Sequence, residues 1–75
     1  MLRPKWTPDE RDAVRALERF GLRAEQVSRR AAAGDPLSQD VLIAHEQFGI
    51  HGARYWGVVS EFRILFARWT LENGG

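Results

Sequence analysis

Phe20-Gly21-Leu22-Arg23-Ala24 sets the number of helices in this chain. A glycine directly after an apolar helical residue reads as a stop, because glycine adopts the left-handed conformation that ends helices. Upstream, Thr7-Pro8-Asp9-Glu10 supplies an N-cap hydroxyl, a proline for the first helical position and acids for the first turn. Ala13, Val14, Leu17 and Phe20 then recur at helical spacing, which predicts a first helix over 8–20. Downstream, Ala24, Val27 and Ala31 form the apolar side of a second helix over about 24–33, stopped by Gly34-Asp35-Pro36.

The same punctuation returns at Phe48-Gly49-Ile50. A third helix starts near Pro36 or Ser38 and carries Val41, Leu42, Ala44, His45 and Phe48. After the turn at Ile50-His51-Gly52, a long fourth helix runs to about Leu71. Its stripe is Tyr55, Val58, Val59, Phe62, Leu65, Phe66 and Trp69, which fits a period of 3.6 and not the alternation of a strand. Shifting the chain on itself by 28 residues matches Pro8 to Pro36, Asp12 to Asp40, Ala16 to Ala44, Glu18 to Glu46, Phe20 to Phe48 and Gly21 to Gly49. The expectation is an all-α fold of four helices, arranged as two tandem helix-turn-helix hairpins with a long C-terminal helix. It forms one domain over 1–75, with repeat units at about 7–34 and 35–61 and an extension at 62–71.

Composition narrows the function classes. The chain has 75 residues, 44% hydrophobic and 28% charged, a globular balance. No apolar run is long enough to cross a bilayer, and no apolar stretch follows the basic start Met1-Leu2-Arg3-Pro4-Lys5, so neither a membrane span nor a secretory signal is expected. The absence of cysteine excludes a disulfide scaffold, a thiol nucleophile and a cysteine zinc site, and fits a cytoplasmic protein. His45 and His51 lack the His-Glu-x-x-His spacing of a helical metal pair. With no nucleophile triad or phosphate loop either, the expectation is a non-enzyme with no cofactor and no metal.

Net charge is only +1, but its distribution is uneven. The second helix of each expected hairpin is the basic one: Arg23, Arg29 and Arg30 against Glu25, then Arg54, Arg63 and Arg68 against Glu61. In a DNA-binding helix-turn-helix that helix enters the major groove.

The segment Phe48-Gly49-Ile50-His51-Gly52-Ala53-Arg54-Tyr55-Trp56 resembles the turn of bacterial helix-turn-helix domains, with Ile50, Tyr55 and Val58 at the matching apolar positions. Arg54-Tyr55-Trp56 is similar to the segment after the turn in small actinobacterial or phage-like proteins of that kind. The resemblance covers about residues 38–60. It departs at His45, where a small residue is usual, and at His51, where Ser or Thr usually caps the following helix. It implies a small regulator of transcription that binds double-stranded DNA, dimeric through the last helix. The candidate DNA contacts are Arg54, Trp56 and Arg63, with Arg29 and Arg30. The other reading is a protein-interaction module, such as a small phage or bacterial inhibitor or assembly factor. Its candidate partner contacts are Ile43, an apolar residue where the first repeat unit has Arg15, and Ile64, Phe66 and Trp69 on a last helix that is apolar on more than one side.

Overall fold

The computed structural model describes residues 8–51 and 55–74, and the side chains among them apart from those of Pro8, Asp9, Glu10 and Ala13. These residues form three α-helices: α1 (Pro8–Ala32), α2 (Pro36–His51) and α3 (Trp56–Glu72). The all-α class holds, but the four-helix arrangement of two hairpins does not. The expected helices over 8–20 and 24–33 are one continuous helix of 25 residues.

The reason lies at Gly21. A capping glycine takes positive φ, and among the described glycines only Gly34 and Gly74 do so. Gly21 is an ordinary helical residue with no neighbour within 4 Å of where a Cβ would sit. A glycine there costs about 1 kcal/mol against alanine, which lowers helix stability without ending the helix. What carries α1 through is its apolar stripe. Leu17, Phe20, Ala24, Val27 and Ala31 follow one another in steps of three and four with no change of phase at Gly21. Gly49 behaves in the same way, and α2 runs on to His51. His51 therefore belongs to the end of α2 and does not cap the next helix, whose first residue is Trp56.

The true stop is Gly34, at φ 100°. Its N–H donates to Ala31 O at 3.0 Å and the Asp35 N–H donates to Arg30 O at 3.0 Å, the paired bonds of a Schellman end. Asp35 then begins α2. Its Oδ2 accepts from the Ser38 N–H at 3.0 Å and from the Ser38 hydroxyl, and Pro36 fills the first helical position. Those two bonds hold the Asp35 carboxyl below its ordinary pKa, with the Arg30 charge adding to them. At the other end of the chain, the Asn73 N–H and side-chain amide both donate to Trp69 O and close α3.

α2 packs against both other helices, while α1 and α3 meet over a smaller area. The core between them is aromatic. Phe62 lies at the centre, edge-on to Phe48 at 5.5 Å and to Phe20 at 5.6 Å, and stacked on Phe66 at 5.9 Å. Val27, Val41, Ala44 and Val59 fill the space around the rings. Beyond residue 61 of α3, Phe62, Phe66 and Trp69 all point into the core.

Candidate interaction surfaces

The continuity of α1 has a consequence for charge. Arg15, Arg19 and Arg23 stand four residues apart on an unbroken helix, so their Cα atoms rise about 6 Å per step along one side. Across from them stands α3. Between the two helices lies an open groove of about 800 Å³. Its α1 wall carries those three arginines and its α3 wall carries Arg63. Ala16, Phe66 and Ala67 are among its lining residues, as are Leu22 and Ile64, exposed apolar side chains at 86% and 58% of full exposure. Asp12 is the one acid among the described lining residues. It is already engaged, by Arg63 at 3.4 Å and Arg15 at 3.9 Å.

Of the residues expected to bind DNA, the structure brings Trp56 and Arg63 together. Arg54 lies outside the described residues. Trp56 opens α3, half exposed, and the Arg63 guanidinium stacks over its ring at 5.4 Å. Arg63 is thus held between Trp56 and Asp12 within the chain. Arg29 pairs with Glu25 at 2.7 Å, and Arg30 lies at the last turn of α1 beside Asp35. Arg29 and Arg30 do not begin a groove-reading helix, because no separate helix starts at 24. Within the bounds of α3, Arg63 and Arg68 are balanced by Glu61 and Glu72, so its described length is not basic.

The expected partner contacts divide into two pairs. Ile43 and Ile64 are exposed, each at 58%. Phe66 and Trp69 are corrected to core positions: Trp69 is fully buried with its indole N–H on Ser38 Oγ at 2.8 Å, and Phe66 packs on Phe20 and Phe62. Their burial removes the anchors of an association through the inner stripe of the last helix. Three exposed residues were not legible as surface from sequence. Leu22 looked like part of a turn, Ile50 like a turn residue and Tyr55 like core, yet all three are largely exposed.

His45 sits in the interior face of α2, its ring stacked on Phe20 at 4.2 Å and tilted against Phe62 at 5.6 Å. Burial pushes its pKa below the ordinary histidine value. No group of three metal-ligating side chains occurs among the described residues, and none of the described helices is long and apolar enough to cross a membrane. No family model, no curated protein and no solved structure matches this chain.

Proposed function

We propose that this chain is a protein-interaction module, a small helical adaptor or assembly factor that binds another polypeptide through the α1/α3 groove. The observation that carries this reading is the make-up of that groove: exposed apolar side chains at Leu22 and Ile64, framed by arginines. Apolar contact area with an arginine frame is the composition of a protein-binding site, where Arg is enriched and water is expelled from the centre. Helix charge supports DNA binding less well. Arg29 and Arg63 have partners inside the chain, and α3 has no net charge between Trp56 and Glu72.

One observation favours a second reading. The row Arg15, Arg19 and Arg23 on a single helix could meet the phosphates of a nucleic acid, as basic stripes do. A capture experiment separates the two. The immobilised chain is incubated with bacterial lysate, with and without nuclease, beside a Leu22→Glu/Ile64→Glu variant. Capture that ignores nuclease and is lost in the variant supports the protein-binding reading. Capture abolished by nuclease, with gel shifts of duplex DNA at about 50 mM salt where phosphate contacts are strong, supports the second.

A further inference from the structure

The groove has a counterpart on the same molecule. The outward face of α2 carries Ile43 and Ile50, at 58% and 73% exposure, one above the other along the helix. They are seven residues apart, about 10 Å along the axis, which is close to the span of the groove from Arg15 to Arg23. At 100° per residue, Glu46 flanks that apolar line on one side and Asp40 on the other. α2 contains no Lys or Arg, and neither Asp40 nor Glu46 forms an ion pair with another described residue.

The two surfaces are complementary in pattern. One is a convex apolar ridge edged by carboxylates, and the other is an open trough with apolar side chains edged by guanidiniums. A helix seated in the groove with Ile43 and Ile50 downward would turn Glu46 toward one wall and Asp40 toward the other. One wall presents Arg19 and Arg23 beside Arg15, which already meets Asp12, and the other presents Arg63, held by Asp12 and Trp56. Arg23 also donates to Gln26 at 3.4 Å.

We propose that α2 of a second copy of this chain occupies the α1/α3 groove. This rests on the protein-binding reading of the groove and names its occupant. No residue of α2 lines the groove, and the ridge of α2 faces away from the helices that form it. The two patches therefore lie on opposite sides of the molecule. A twofold axis cannot satisfy both at once, so the contact is head to tail and repeats into a chain or closes into a ring. Each contact is small and partly electrostatic, which makes assembly dependent on concentration and weaker at high salt.

Sedimentation velocity of the full chain at low salt tests this, with weight-average mass followed from low to high micromolar concentration. The expected result is a mass that climbs past that of a dimer and falls back when salt is raised. Arg19→Glu and Glu46→Arg both alter exposed side chains, and circular dichroism verifies that each variant keeps its helices. Each variant alone is expected to assemble at least about tenfold more weakly. An equimolar mixture regains association, because the unaltered α2 of the first variant meets the unaltered groove of the second. A wild-type chain that stays monomeric throughout overturns the proposal, as does a discrete dimer indifferent to both substitutions. If the monomeric chain instead shifts duplex DNA and Arg19→Glu abolishes the shift, the groove belongs to nucleic acid. A monomer that still captures a foreign protein through Leu22 and Ile64 fails this inference and leaves the protein-binding reading standing.

Discussion

Trp69 donates its indole N–H to the Ser38 hydroxyl oxygen at 2.8 Å, and both residues are fully buried. Ser38 passes the bond on, donating to the Asp35 carboxylate that caps α2. One hydrogen-bonded chain thus ties the last turns of α3 to the turn between α1 and α2. Ser38→Ala leaves the indole donor buried without a partner and removes a ligand of the cap. It is expected to cost about 1–3 kcal/mol, measured by urea unfolding. A variant as stable as wild type would show that the bond does not organise this end of the fold.

Gly21 and Gly34 give opposite outcomes for the same substitution. Gly21 is helical with open space around its Cβ position, so Gly21→Ala is expected to stabilise the protein by about 0.4–1 kcal/mol. Gly34 sits at φ 100°, where a side chain is strained, so Gly34→Ala is expected to destabilise it. Thermal melts of the two variants check this. Loss of stability at Gly21 would mean that the chain turns there.

His45 makes stability depend on pH. Its folded pKa lies below the unfolded value of 6.5 because burial disfavours the charged ring. The unfolded chain therefore binds the proton more tightly. The contribution is fully present above about pH 6.5 and is lost as pH falls through the depressed folded pKa. Unfolding midpoints in urea should drop between neutral pH and pH near 5, and His45→Leu should flatten that part of the profile. Asp35 adds a separate loss at lower pH, below its ordinary value of 3.8, where the cap carboxylate protonates.

Phe62 is the residue on which the aromatic core turns, touching Phe20, Phe48 and Phe66. Phe62→Ala is expected to cost about 3–5 kcal/mol, and at this chain length that can exceed the whole stability. Phe62→Leu, which keeps most of the volume, should fold with a smaller loss. Equal stability of both variants with wild type, by chemical denaturation, would contradict the packing described above.

The helical class and the inward stripe of α3 were legible because Val59, Phe62, Phe66 and Trp69 hold a helical period. Phe20 and Phe48 were legible as core for the same reason, and both are buried. The helix count was not legible from Gly21 alone. A glycine after a phenylalanine is compatible with a cap or with a helix interior, and the decision rests on the phase of the stripe at Ala24 and Val27. A stop at Gly21 would place Arg19 and Arg23 on different helices, so the arginine row follows only from that continuity. Trp69 and Phe66 looked available to a partner because nothing in the chain's periodicity shows what covers them. α2 and α1 cover them in the folded protein.

Concentration-dependent amide spectra of the isotopically labelled chain at low salt locate any contact between copies residue by residue. The expected result is two sets of shifts that grow together with concentration. One set lies on the outward face of α2 around Ile43, Glu46 and Ile50, and the other along the groove around Arg19, Leu22 and Ile64. Spectra that do not change up to the highest soluble concentration, or changes that spare both surfaces, would contradict the seating of α2 in the groove.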